Sequence, residues 1–243
     1  MGGVCCRRRG GAGYSTPENG VMTAAELSLG FSLLSCAETQ YSLSKFVVAN
    51  TLSKTALVRA VRDLKLRFDP QSEELFYAQF QVQDGIYDVK KLRLAAALMA
   101  KSDRTAKAVA IWDTWTGAPV EEISDVSFKE LVAVLVDLSL ESVMPLALTT
   151  PTFNKDRLKV WGKSQGQKKE KAVSHFAEIF LPAGAQILTY QDFLAAVARG
   201  QDEGLTSMQQ VRATIEHFRV MSAKFSSAFK KGGFAASLTP NKK

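Results

Sequence analysis

A unit of two amphipathic helices, joined by a turn and a short β-branched or aromatic piece, recurs along this chain and constrains its fold more than any other feature. Apolar residues within the helices recur at three- and four-residue spacing, which is typical of a helix with one buried face. Such a unit cannot bury its apolar face alone and must pair with a neighbour. The sequence therefore predicts a mainly α fold of paired helix–loop–helix units joined by very short β pairs. The four copies span residues 72–99, 105–138, 142–161 and 171–198.

The chain is expected to divide into five segments around these units. Thr23 and Glu26 have the spacing of a capping box, which predicts that the first helix begins at Thr23. The segments are a flexible basic tail, N-terminal helices, a first pair of units, a second pair, and a C-terminal amphipathic helix with a basic tail, over residues 1–22, 23–69, 70–140, 141–204 and 205–243.

Three segments carry a family resemblance. Residues 85–92, 125–131 and 188–193 resemble the second half of an EF-hand calcium loop and the start of its exiting helix. The resemblance implies an aliphatic or aromatic residue at loop position 8 that forms the strand pair, namely Tyr87, Val126, Phe153 and Leu188. It also implies a core residue just after each loop, namely Leu92, Leu131, Leu158 and Phe193. The order of the units resembles the calcineurin B-like and neuronal calcium-sensor branch.

The predicted loops are poor in calcium ligands. A calcium loop needs side-chain oxygens at positions 1, 3 and 5, glycine at 6 and a bidentate carboxylate at 12. Lys91 stands at position 12 of the first loop and Arg157 at that of the third, while Leu181 begins the fourth. We therefore predict no metal site, and the second loop comes nearest to one. The remaining carboxylates are degenerate loop remnants, namely Asp84, Asp88, Asp113, Glu130 and Asp192.

The N-terminus matches the pattern of a lipid anchor. Gly2 becomes the first residue once Met1 is removed, as N-myristoylation requires, although the pattern has Ser or Thr where Cys6 stands. Cys5 and Cys6 are placed for S-palmitoylation. One myristoyl chain binds a membrane only marginally, so stable anchoring needs a second signal. A second acyl chain or the basic cluster can supply that signal, and the cluster consists of Arg7, Arg8 and Arg9.

Charge is concentrated at the two ends of the chain. The net charge is +7, of which residues 1–16 carry +3 and residues 206–243 carry +6. The body between them is nearly neutral, which favours an acidic membrane over a nucleic acid as the partner. In the basic tail at the C-terminus, phenylalanines alternate with three lysines that are candidates for electrostatic binding to a membrane, namely Lys224, Lys230 and Lys231.

No catalytic constellation is present in the sequence, and we expect neither an enzyme nor a cofactor. The two histidines, His175 and His217, are far apart, and no phosphate-binding loop, dinucleotide glycine run or nucleophile elbow occurs. No apolar stretch approaches the ~20 residues of a membrane-spanning helix. Cys36 is expected to be a reduced, buried or half-buried thiol.

These features predict a lipid-anchored, calcium-insensitive adaptor or regulatory subunit on the cytosolic face of a membrane. The resemblance implies that it binds a partner helix through an apolar groove, as a phosphatase or kinase subunit would. The membrane is the plasma membrane or a flagellar or ciliary one, where acylated EF-hand proteins occur. Two alternatives stay open, namely a residual calcium sensor that switches membrane or target binding, and a basic nucleic-acid-binding protein.

Overall fold

The protein is mainly α-helical with a few short antiparallel strands, as the sequence predicts. The computed structural model describes residues 16–66, 68–117, 119–181, 184–200 and 204–218. The helices are α1 (Pro17–Ser28), α2 (Cys36–Ser44), α3 (Lys54–Asp63), α4 (Pro70–Ala78), α5 (Val89–Met99), α6 (Arg104–Thr116), α7 (Asp125–Glu141), α8 (Met144–Ala147), α9 (Lys155–Gly166), α10 (Lys169–Phe180), α11 (Tyr190–Ala198) and α12 (residues 208–218). The strands are β1 (Thr51–Ser53), β2 (Gln81–Gln83), β3 (Ile86–Asp88), β4 (Glu122–Ser124) and β5 (Ile187–Thr189).

Two strand pairs connect the helices. Strand β1 pairs antiparallel with β3, where Leu52 lies opposite Tyr87, and β2 adds to the other side of β3. Strand β4 pairs antiparallel with β5, where Ile123 lies opposite Leu188. All four of these residues are buried, so each pair contributes apolar side chains to the core.

A capping residue follows the centre of each of these four strands. The side chains of Ser53, Asp88, Ser124 and Thr189 each accept a hydrogen bond from the backbone N–H three residues on. Such a cap satisfies a backbone donor that the first helical turn leaves unpaired. A buried strand residue followed at once by a capping residue therefore starts α3, α5, α7 and α11.

The strand pairs group the chain differently from the pairs of units expected over residues 70–140 and 141–204. They join α2–β1–α3 to α4–β2–β3–α5, and α6–β4–α7 to α10–β5–α11. The unit that begins at Cys36 was expected only as N-terminal helices. The strand expected at Phe153 is not found among the described residues, where Phe153 lies in a bend before α9. Ile123, and not the expected Val126, pairs with Leu188, and Val126 lies exposed in α7.

The first helix begins earlier than the sequence predicted. Thr16 caps α1 by accepting from the N–H of Asn19, and Pro17 occupies the first turn. Proline is favoured there because its missing N–H would have had no helical partner. Thr23 lies inside the helix and its hydroxyl donates to the carbonyl of Asn19, at 2.9 Å. The predicted flexible tail over residues 1–22 is therefore wrong for residues 17–22, which are helical.

A single connected apolar core runs through the molecule. Helix α7 packs on α10, and α5 packs on both α2 and α6. An aromatic cluster of Trp112, Phe128, Phe180 and Phe193 joins the last strand pair to the core. Helices α1 and α12 bury Met22, Met208, Val211 and Ile215 completely. The outer helices are thus part of the same core as the strand-paired units.

Candidate functional site

The two ends of the described chain lie side by side. The Thr16 hydroxyl donates to Glu216 Oε1 at 2.5 Å, and the Thr16 N–H lies 3.5 Å from Glu216 Oε2. Farther along, Asn19 Nδ2 donates to the backbone carbonyl of Gln209 at 3.4 Å. Helix α1 therefore begins beside the turn of α12 that ends the described chain. We call this region, formed by residues 16–19 and 209–216, the joined ends.

A buried arginine holds the joined ends together. Arg212 on α12 has no exposed surface. Its guanidinium donates to Asn19 Oδ1 at 2.7 Å, to the carbonyl of Ser139 at 2.9 Å and to Thr23 Oγ1 at 3.2 Å. The same group forms an ion pair with Glu26. Burial raises the pKa of Glu26, while the charge and hydrogen bond of Arg212 act against that rise.

Helix α9 closes the joined ends from the other side. Trp161 Nε1 donates to Glu216 Oε1 at 3.0 Å, and Arg157 forms an ion pair with Glu18. Burial raises the pKa of Glu18, but the hydrogen bond and charge of Arg157 outweigh this and leave that pKa below its ordinary value. Carboxylates from α1 and α12 are thus held by partners from α9 and α12.

No sequence pattern noted above predicts this network. A signal for it is present, because Asn19, Thr23 and Glu26 are spaced by four and three residues and so lie on one face of a helix. A buried arginine among Val211 and Ile215, however, runs against the rule that charged residues lie outside the core.

The predicted anchor residues lie outside the described residues and remain predictions. They are the lipidation candidates Gly2, Cys5 and Cys6 and the basic candidates Arg7, Arg8, Arg9, Lys224, Lys230 and Lys231. The expected amphipathic helix near the C-terminus is confirmed over residues 208–218, and residues 219–243 lie outside the described residues.

Of the two loop remnants in the first strand pair, Asp84 lies in a turn and Asp88 caps a helix. Asp84 is exposed in the turn between β2 and β3. Asp88 caps α5 by accepting from the N–H of Lys91 at 3.0 Å, and the Lys91 ammonium lies 3.7 Å from the other carboxylate oxygen. The cation at this place offers no ligand for a metal.

The expected loop from Asp113 to Glu130 is wrong. Asp113 lies three residues before the end of α6 and Glu130 lies five residues after the start of α7, so the two are too far apart to be positions 1 and 12 of a 12-residue loop. Gly117, with a φ of 71°, ends α6 and Ser124 caps α7, which confines the connection to the residues between them. Partial burial raises the pKa of Asp113, against the nearby charge of Arg93.

Asp192 closes a capping box at the start of α11. The Thr189 hydroxyl donates to Asp192 Oδ2 at 2.7 Å, and the Asp192 N–H donates to Thr189 Oγ1 at 3.1 Å. Within the part of the chain that the structure describes, no group of three or more His, Cys, Asp or Glu side chains is placed to hold a metal ion.

An open groove lies between α5, α6 and α7. It has a volume of about 430 Å³ and is lined by Lys90, Trp115, Thr116, Val120, Ile123, Ser127 and Glu130. The Lys90 ammonium sits 3.7 Å from the Trp115 ring centroid, and Trp115 Nε1 donates to Ser127 Oγ at 3.0 Å. Burial lowers the pKa of Lys90, against the charges of Asp88 and Glu130. The lining mixes apolar and charged groups.

Cys36 is a free and buried thiol, as expected, and burial raises its pKa. A raised pKa keeps the thiol protonated and makes it a poor nucleophile.

Comparison with known proteins identifies no relative. A scan against protein-family models, a search of curated proteins and a search of solved structures each found no match. Among the described residues, no helix is both long and apolar enough to cross a bilayer.

Proposed function

We propose that this protein is a lipid-anchored, calcium-insensitive adaptor on the cytosolic face of a membrane, built from degenerate EF-hand units. One observation carries the proposal. In four helix–strand–helix connections, the central residue of a paired strand directly precedes the residue that caps the next helix, and aligning these residues with positions 8 and 9 of a calcium-binding loop leaves the ligand positions poor in carboxylates.

The register supports the EF-hand interpretation. With the central strand residue at position 8, the residue that caps the next helix falls at 9 and the third helical residue at 12, as in the 12-residue calcium loop. The four loops are then residues 45–56, 80–91, 116–127 and 181–192. In the first two, position 6 is taken by Asn50 and Gly85, whose φ values are 60° and 69°. A positive φ at that position is what the sharp turn of a calcium loop requires.

The ligand positions argue for a scaffold without metal. Calcium takes oxygen ligands, and the affinity of a loop depends on how many of them are charged. Each loop holds at most one carboxylate among positions 1, 3, 5 and 12. The residues there are Lys45, Val47, Ala49 and Ala56; Phe80, Val82, Asp84 and Lys91; Thr116, Ala118, Val120 and Ser127; Leu181, Ala183, Ala185 and Asp192.

The membrane part of the proposal rests on the N-terminal residues. Gly2, Cys5 and Cys6 would carry a myristoyl chain and a palmitoyl chain, which together give stable anchoring where one chain does not. A helical scaffold fixed at a membrane in one state suits an adaptor that binds a partner helix, which is the mode the resemblance implies.

A gain-of-binding experiment tests the scaffold. The double substitution Val82→Asp with Lys91→Glu adds carboxylates at positions 3 and 12 of the loop that already has Asp84, Gly85 and Asp88. We expect calorimetry to show no calcium binding by the wild type and a dissociation constant of roughly 10⁻⁴–10⁻³ M for the variant.

The matched control is Gln83→Asp with Lys90→Glu, which changes the charge equally at positions 4 and 11, where no ligand is needed. Calcium binding by both double variants would refute the assignment of residues 82 and 91 to positions 3 and 12 of the loop. A micromolar site in the wild type would refute the proposal and favour a calcium sensor.

A localisation experiment tests the anchor. A fusion carrying a fluorescent protein at its C-terminus should lie on membranes in eukaryotic cells, and Gly2→Ala should move it to the cytosol. A wild-type fusion that is cytosolic from the start would refute the lipid anchor.

A further inference from the structure

We infer that the joined ends and the lysine face of α9 form one contact surface for a bilayer containing anionic lipid. The inference rests on the proposed membrane function and adds the orientation in which the protein would lie. It also assigns to residues of the folded body a part in membrane binding that the lipid anchor does not require.

The first step is geometric. Residues 1–15 continue from Thr16 and residues 219–243 continue from α12, and Thr16 is hydrogen-bonded to Glu216. Both terminal segments are therefore attached at the same place on the body.

The second step concerns charge. Residues 1–15 carry Arg7, Arg8 and Arg9, and residues 219–243 carry six further cations, Arg219, Lys224, Lys230, Lys231, Lys242 and Lys243. Neither segment contains an acid, so residues 16–218 have a net charge of −2. The whole positive excess of the protein is thus attached at the joined ends.

The third step is that the acids at the joined ends do not oppose this charge. Glu18 and Glu216 are buried, and Glu26 is nearly so. Arg157 pairs with Glu18, Arg212 pairs with Glu26, and Thr16 and Trp161 donate to Glu216. These carboxylates are satisfied within the fold, which leaves little negative charge to repel an anionic surface.

The fourth step extends the basic surface onto the body. Helix α9 touches the joined ends through Arg157 and Trp161, and it exposes Lys155, Lys159 and Lys163 at four-residue spacing along one face. Val160 beside them is 70% exposed. Asp156 is the single exposed acid of this helix, so its surface stays positive. At about 100° per residue, Val160 lies between Arg157 and the lysines around α9, so the solvent-exposed side of this helix runs from the joined ends to the lysine face.

The aromatic content favours a bilayer over a nucleic acid. Phe225, Phe229 and Phe234 alternate with the lysines of residues 219–243. Phenylalanine at the acyl boundary with lysine at the headgroups is the pattern of an interfacial segment. The exposed Val160 adds an apolar side chain to the lysine face. A phosphate backbone would make no use of these apolar groups.

The test uses the full-length protein made in bacteria, where it carries no myristoyl chain. We expect it to co-sediment with phosphatidylcholine vesicles that contain about 30% phosphatidylserine, and to bind pure phosphatidylcholine at least tenfold more weakly. Each basic residue near such a surface raises partitioning about fivefold. Screening by about 0.1 M salt reduces that factor for lysines that stay solvated on the folded body. Lys155→Gln, Lys159→Gln and Lys163→Gln together should therefore lower partitioning about tenfold.

The matched control is the triple variant Lys54→Gln, Arg59→Gln and Arg62→Gln. These cations are exposed on α3, which packs on α2 and β1, and their removal changes the net charge by the same amount. We expect this control variant to lower partitioning onto the anionic vesicles by less than twofold.

Equal losses in the two triple variants would overturn the inference, because binding would then follow net charge alone. Wild-type protein that ignores anionic vesicles would overturn it as well. Tighter binding to a random RNA than to these vesicles would overturn the inference as well, because it would identify a nucleic acid as the preferred partner of this surface. Failure of the lipid anchor in cells leaves all these results unaffected, so the two proposals can fail separately.

Discussion

Removal of the Arg212 side chain is the sharpest perturbation of the joined ends. In Arg212→Met the guanidinium is lost from a site with no exposed surface. Glu26, whose side chain is 11% exposed, then keeps a carboxylate without its cation, and Asn19 Oδ1 loses its 2.7 Å donor. Removing one partner of a buried pair costs about 3–5 kcal/mol. Typical domains have a total stability of about 5–15 kcal/mol, so this variant should be severely destabilised.

The second substitution separates the buried charge from lost packing. In Arg212→Met with Glu26→Leu no uncompensated carboxylate remains, and replacing a buried pair by apolar residues is often neutral. We expect the double variant to recover more than half of the loss. Urea denaturation followed by circular dichroism measures both free energies of unfolding. Arg62→Met on the exposed surface of α3 serves as control and should change stability by less than about 0.5 kcal/mol.

The same variant should show a distinctive pH dependence. The pKa of Glu26 is already raised by burial, and loss of the Arg212 charge should raise it further. A carboxyl with a raised pKa in the folded state penalises folding when it is ionised, and the penalty disappears as pH falls through that pKa. Arg212→Met should therefore be most destabilised at neutral pH. A cost below about 1 kcal/mol, or a double variant as unstable as the sum of the single ones, would refute this account.

Three further predictions concern the fold. Gln165 is fully buried, and within the described residues its amide has no hydrogen-bond partner, so Gln165→Leu should raise the free energy of unfolding by about 1–2 kcal/mol, whereas Gln167→Leu at an exposed position should not. Leu52→Ala removes a completely buried side chain from the first strand pair and should cost about 2–5 kcal/mol by denaturant unfolding. The pKa of Glu18 is lowered in the folded state, so its ionised carboxylate stabilises the fold above its ordinary pKa of 4.5, and this stabilisation is lost as pH falls through the pKa of the folded state. Glu18→Gln should therefore flatten the dependence of the free energy of unfolding on pH in that range.

Periodicity predicted the helical class, and the resemblance to EF-hand loops predicted two of the strand residues, Tyr87 and Leu188. Both are followed by residues able to cap a helix, and this local signal is strong enough to be seen in a sequence. Phe153 also precedes a helix with an Asn cap, but no strand partner is available to it among the described residues. Strand pairing is a long-range property, and a local pattern cannot specify it.

The unit that contains Leu52 was missed for a related reason. Helix α2 is short, and its sequence is mostly polar or small, so its apolar period is weak. At the turn position where the next loop has Gly85, the loop after α2 has Asn50, so no glycine indicates the turn in the sequence. Only the pairing of Leu52 with Tyr87 defines the register of this loop.

The joined ends lay beyond sequence reasoning because their chemistry spans the full length of the chain. Thr16 and Glu216 each have an ordinary local role, as the cap of a helix and as a residue in another helix. Only the packing of α1 on α12 gives them a common function. The buried Arg212 is tolerated there because four polar groups from two helices, α1 and α7, surround it.

The central claim is a membrane anchor that does not depend on calcium. The direct measurement is vesicle flotation of the full-length protein expressed in eukaryotic cells, with calcium at about 1 mM or with a chelator. We expect the same fraction of the protein to float in both conditions. Flotation that appears only with calcium would refute a calcium-independent membrane anchor, as would protein that stays in the soluble fraction throughout.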